Sequence, residues 1–171
     1  MKDDKTFKVR DKIVHFGRLY RIFKIKKKKA KDKEEKIILF RPYFKNPRNR
    51  AVIRSIPINN IGQTDIRRPI SKKELRQLLE ELSKKSNRKK PVNLNQAKGL
   101  LGLNDVSETA QVLKNLWREK NDRSKNFSKS KENVLRISMR RLTEEIAFVG
   151  NISLGKARKK IKTALKEGNE K

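Results

Sequence analysis

IPINNIGQTDIRRPISKKELRQLLEEL, residues 56–82, is where the chain changes character. Before it, apolar residues come in short runs of β type; after it, they recur at helical spacing. The change falls at Arg67-Arg68-Pro69-Ile70-Ser71. Proline lacks an N–H and pushes the preceding residue out of helical geometry, so an element ends here. Ser71 followed by Glu74 has the form of a capping box, which starts a helix. Leu75, Leu78, Leu79 and Leu82 then fall at i, i+3, i+4 and i+7, a single apolar stripe. The stretch predicts an α+β chain in two domains: a β domain over 1–68 and an all-α domain over 69–171.

Upstream, Thr6–His15 alternates loosely, with Asp11 at a turn and Gly17 as the next break. Leu19–Ile25 interleaves apolar residues with Arg21 and Lys24, a half-buried strand. Residues 26–36, KKKKAKDKEEK, are a charge run, either a solvated hairpin tip or a direct phosphate contact. Glu35–Phe44 reads as a strand ending near Pro42, residues 46–49 as a turn, Arg50–Ile58 as a further strand and 59–65 as a polar exit loop. Short strands with tight turns in so few residues point to a small SH3-like or Tudor-like antiparallel barrel. Its expected core is Val9, Val14, Ile22, Ile25, Leu39 and Ile56.

Downstream, helices are expected near 72–82, 93–101, 106–120, 131–149 and 154–166. Gly99-Leu-Leu-Gly102 has the GxxG form of an RNA clamp, but two leucines at a loop tip do not suit a backbone contact. Gly102 fits better as a helix C-cap. Val106, Ala110, Leu113 and Trp117 share one helix face, with Trp117 either a core anchor or a base-stacking or wedge residue. Val134, Leu135, Ser138, Leu142, Ile146 and Val149 form the inner stripe of the longest helix, and Arg136, Arg140 and Glu144 an outer one. Lys156, Arg158, Lys159, Lys160 and Lys162 make the last helix strongly basic.

Lys and Arg number 48 against 19 acids, a formal charge of +29 over 171 residues. Self-repulsion of that size calls for a polyanionic partner, and nucleic acid is the commonest. No apolar run is long enough to span a bilayer and the N-terminus lacks a signal-peptide core, so no membrane partner and a cytoplasmic, nucleoid-associated location are expected. There is no cysteine and one histidine, His15. That excludes disulfides and cysteine zinc sites, and makes a histidine-based metal site or triad improbable. With no Gly-rich phosphate loop either, neither cofactor nor enzymatic activity is expected.

Five stretches in order resemble the CarD/CdnL family of bacterial RNA polymerase-binding transcription regulators: residues 7–14, FKVRDKIV; 56–60, IPINN; 66–75, IRRPISKKEL; 106–118, VSETAQVLKNLWR; and 127–147. Glu145 stands where that family usually has Glu. The resemblance implies a Tudor-like N-terminal domain, shared with transcription-repair coupling factors, that docks on the polymerase β subunit. It also implies a helical domain that touches promoter DNA beside the melted region and stabilises the open complex without catalysis. The chain departs from the pattern in places. The opening turn is shortened to His15-Phe16-Gly17, and Ser55, beside Arg54, stands where an arginine usually precedes the Ile-Pro pair. Leu94 after Asn93 stands where the family has its tryptophan wedge. Leu94 is then either an apolar wedge or a core residue. Glu119 and Glu132 occupy positions that are basic in the family.

On this basis Arg50, Arg54, Ser55 and Pro57 are the expected polymerase contacts, offered by an edge strand. Arg88, Lys89, Lys90, Leu94, Lys98, Lys129 and Lys131 are the expected contacts to promoter DNA, largely without sequence selectivity. The chain is expected to act as a monomer. The alternative from charge alone is a free-standing nucleoid- or RNA/ribosome-associated protein.

Overall fold

The computed structural model describes residues 7–30, 33–86, 90–122 and 126–170. It divides into two compact units, Met1–Pro69 and Ile70–Lys171.

The first unit is an antiparallel sheet in the order β1-β2-β3-β4: β1 Lys12–His15, β2 Arg18–Ala30, β3 Lys33–Pro42 and β4 Arg54–Pro57. A 3-10 helix, Ile58–Gln63, follows β4, and the chain then returns to β1, where Val14 and Arg67 exchange backbone hydrogen bonds at 2.8 and 3.1 Å. The ladders make an open sheet; the strand pairing does not by itself close a barrel. Phe7, Ile13, Tyr20, Ile22, Ile38, Phe40, Ile61 and Ile66 form its core, with Ile25, Ile56 and Ile58 packed at the margin.

Two core expectations fail. Val9 is 48% exposed, and Leu39 lies on the opposite face from its buried neighbours Ile38 and Phe40. Residues 37–40, IILF, offer no alternation from which to choose a face. The choice is made across the sheet, where a bulge at Phe23 shifts the register between Ile22 and Lys24. A bulge inserts one unpaired residue, so Ile22 and Ile25, three apart, both face the core side. The bulged Phe23 ring lies under the Arg41 guanidinium at 5.3 Å.

Strand boundaries also move. β2 runs through the lysine run to Ala30, because Lys26, Lys27, Lys28 and Lys29 pair in register with Ile37, Lys36, Glu35 and Glu34. Opposite charges across two of those pairs favour the ladder. The strand expected over 50–58 shrinks to Arg54–Pro57. Asn46 Oδ1 accepts the N–H groups of Arg48 and Asn49, and Asn49 Oδ1 accepts that of Asn46, so the side chains wind residues 46–51 into a turn.

The second unit has α1 Lys72–Ser83, α2 Leu94–Gly102, α3 Val106–Asn121, α4 Lys129–Val149 and α5 Leu154–Glu170. Ser71 and Glu74 form the expected capping box. Asn93, Asp105 and Ser128 cap α2, α3 and α4 through side-chain oxygens. Gly99–Gly102 lie inside α2, and Gly102 is not its cap: Leu103 is, and Asn104 takes the left-handed conformation after it, φ 53°. Asn151 does the same after α4, φ 50°.

Among the helices α4 is central, packed against α1, α2, α3 and α5. Its buried band is therefore wider than one stripe. Glu144, expected outside, is buried, as is Glu145. Glu145 accepts the Ile70 N–H at 2.9 Å, holding the lead-in to α1. On α3 the core runs through Ala110, Leu113 and Leu116, and Trp117 is only half-buried. Among the described residues, no helix is long and apolar enough to cross a membrane.

Candidate functional site

β4 is the edge strand after β3. Its register pairs Arg54 with Phe40, Ser55 with Leu39, Ile56 with Ile38 and Pro57 with Ile37. Successive side chains alternate, so Arg54 is on the core side and Ser55 and Pro57 on the other. The expected polymerase contacts are thus not one patch. Arg50 is exposed and belongs to the 46–51 turn, not to the strand. One neighbour was missed in the sequence: Ile53, 61% exposed, immediately before β4. Its side chain stands beside the β4 edge, which among the described strands pairs with β3 alone. Composition carries no such signal, since exposure depends on where the turn ends.

Behind Arg54 lies an aromatic cluster. The Tyr20 and Phe40 rings meet edge to face at 5.3 Å, and His15 meets Phe40 at 5.7 Å. The Arg54 guanidinium stands 5.9 Å from the Tyr20 centroid, a cation–π seat that orients it. Burial, and after it the Arg54 charge, hold the His15 imidazole below its ordinary 6.5, against a smaller pull from Asp65. A neutral His15 leaves the local positive charge on Arg54.

Of the expected DNA contacts, Lys90, Lys98 and Lys129 are exposed. Leu94 is the first residue of α2 and half-buried, so it is neither sealed in the core nor fully presented. Arg88 and Lys89 lie outside the described residues. Lys131 differs from the rest. Its ammonium is paired with Glu119, the side chains being 14% and 2% exposed. Glu119 also accepts the buried Val92 N–H at 2.8 Å. The pair ties α3, α4 and the approach to α2 together, and a lysine so engaged has little charge to offer a phosphate. Glu132, the other acid at a family basic position, pairs with Lys120 at 2.9 Å.

Further exposed cations line α5, where Lys156, Arg158, Lys159, Lys160 and Lys162 all face solvent. Among the described residues there is no cluster of His, Cys, Asp and Glu able to hold a metal ion.

The family model of the CarD C-terminal domain matches residues 74–162, more than half of the chain. The chain belongs to the CarD family. It is accordingly a CarD-like, transcription-related protein, and the match covers α1 to α4 and the first half of α5. No curated protein matches it. The CarD-family segment contains Glu119, Lys131 and Val92, so the ties made by Glu119 lie within the matched part, while the Ile70 partner of Glu145 precedes it.

Proposed function

We propose that this protein is a non-enzymatic regulator of transcription that acts on RNA polymerase at promoters from the cytoplasm. The N-terminal unit, an SH3-like or Tudor-like module, docks on the polymerase β subunit through the β4 edge, with Ile53 and Arg54 in the contact and Ser55 and Pro57 flanking it. The helical unit lays Lys90, Lys98, Lys129 and the α5 cations along promoter DNA and steadies the melted state. Leu94 stands at the end of α2 where an apolar side chain meets the groove.

The single observation that carries this proposal is the CarD C-terminal match over 74–162, on a chain of formal charge +29. Phosphate contacts of this kind position a protein without reading bases. Tethering to a polymerase raises the effective concentration of a weak DNA contact.

The test is co-elution of the full chain with RNA polymerase core, compared with Ile53→Asp and Arg54→Glu. Loss of co-elution in both variants, with duplex binding retained, supports docking through β4. Equal retention of all three removes β4 from the interface. A wild-type chain that binds duplex DNA but never polymerase is a free-standing nucleic-acid-binding protein.

A further inference from the structure

The β2–β3 hairpin does not stop at the core. From Lys26↔Ile37 the ladder continues to Ala30↔Lys33, about 14 Å further at roughly 3.4 Å per residue. Lys24, Lys26, Lys27, Lys28, Lys29 and Lys36 are exposed on this ribbon. Glu34 and Glu35 are its acids over residues 24–29 and 34–36, so the arm is strongly cationic.

The charges are not on one side. Register and alternation put Lys24, Lys26 and Lys28 on one face, and Lys27, Lys29 and Lys36 on the other. Glu34 bonds Lys27 at 3.3 Å, as side chains sharing a face do. Lysines two apart recur about every 6.8 Å along the strand, twice the axial step of about 3.4 Å per phosphate in one DNA strand.

We propose that this ribbon is a DNA-binding arm: it enters a groove of duplex DNA and neutralises phosphates on both walls. A major groove is wide enough for a two-stranded ribbon, and one with lysines on both faces meets both walls at once. A protein surface is the poorer fit. Protein interfaces are depleted of Lys and Glu at their centre and anchored by aromatic, Met or Arg side chains. Paired positions Lys27↔Lys36, Lys28↔Glu35 and Lys29↔Glu34 contain no such anchor. The arm belongs to the first unit, outside the matched CarD segment, and its action does not depend on polymerase docking.

The test uses the full chain and a mixed-sequence duplex without polymerase. Two charge-equal variants, Lys24→Gln/Lys26→Gln/Lys28→Gln and Lys27→Gln/Lys29→Gln/Lys36→Gln, are titrated over a range of salt. Each is expected to reduce the log–log salt slope by about 2.7, at roughly 0.9 for each of three phosphates no longer neutralised, and to weaken binding about tenfold at low salt. The chain has no cysteine, so Glu35→Cys gives one attachment point for an iron–EDTA cleavage reagent. Cuts in both DNA strands flanking one groove are expected. Unchanged slopes with no cuts overturn the proposal. So does unchanged DNA binding with loss of co-elution in a parallel run with RNA polymerase core, which assigns the arm to a protein surface instead.

Discussion

The carboxylate of Glu119 on α3 is shared between two partners: one oxygen takes the Lys131 ammonium from α4, the other the Val92 N–H at 2.8 Å. A 2%-exposed acid thus links α3 to α4 and to the segment before α2. At both residues charge is used for folding, whereas Lys129, two positions before Lys131, faces solvent.

Removing one partner of a buried ion pair leaves the other charged and dry, at a cost of about 3–5 kcal/mol. Lys131→Met is expected to destabilise the helical unit by about 3 kcal/mol in urea unfolding. Its effect on the salt slope of DNA binding is expected to be nil. Lys129→Gln, exposed two residues earlier, is expected to do the reverse: a slope smaller by about 0.9 and unchanged unfolding.

A Cβ at Gly168 on α5 would lie 2.9 Å from the Lys84 carbonyl oxygen and 3.1 Å from that of Leu82. Both are backbone atoms at the end of α1 and cannot swing away. Gly168→Ala is therefore expected to destabilise by about 1–3 kcal/mol, despite the higher helix propensity of Ala. Gly99→Ala, with nothing within 4 Å of its Cβ, is expected to stabilise by about 0.5–1 kcal/mol. Paired thermal melts compare the two.

Phe16 and Gly17 form the two-residue loop between β1 and β2, with φ of 48° and 68°, closed by the His15↔Arg18 pair. Positive φ at both positions is the type I′ hairpin geometry, which favours Asn-Gly. A bulky side chain in that region costs about 1–2 kcal/mol. Phe16 is 52% exposed and packs its ring on His15 at 4.2 Å, which offsets part of the strain. Phe16→Asn is expected to raise stability by about 1 kcal/mol, read as a higher urea midpoint.

His15 is the only histidine, so a single imidazole signal reports on the Arg54 seat. Its folded pKa lies below 6.5 because of burial, then Arg54. Between that value and 6.5 the unfolded chain binds the proton and the folded chain does not. Stability therefore rises with pH in that window and falls as pH drops through it; below the folded pKa the slope vanishes. Wild-type stability towards urea is expected to weaken as pH falls below 6.5, and His15→Gln to flatten that dependence. Arg54→Gln is expected to raise the His15 pKa in an NMR titration.

Much was legible in residue order because its causes are local. A proline followed by a capping box at 69–74 marks a change from strand to helix wherever it occurs, and α1 begins at Lys72 as expected. Five helices follow from 3.6-residue periodicity and polar breaks between them. Family membership was equally legible, since motifs in order survive without knowledge of any contact. Faces were harder. The bulge at Phe23 that sets which of Ile37, Ile38, Leu39 and Phe40 is buried depends on pairing between two strands, and no alternation in either strand announces it.

The linear chain thus dictated the order and kind of its elements and the excess of positive charge, because propensity, capping and formal charge belong to residues and near neighbours. Folding alone decided which charges stay available. Lys131 and Lys129 look alike in the sequence, two positions apart, yet one is drawn to a buried acid and the other left in water. The same holds for Lys26–Lys29, which became a ladder because β3 supplied partners in register. The physical reason is that burial and pairing are properties of what a side chain meets across space, and only packed helices and paired strands bring those neighbours together.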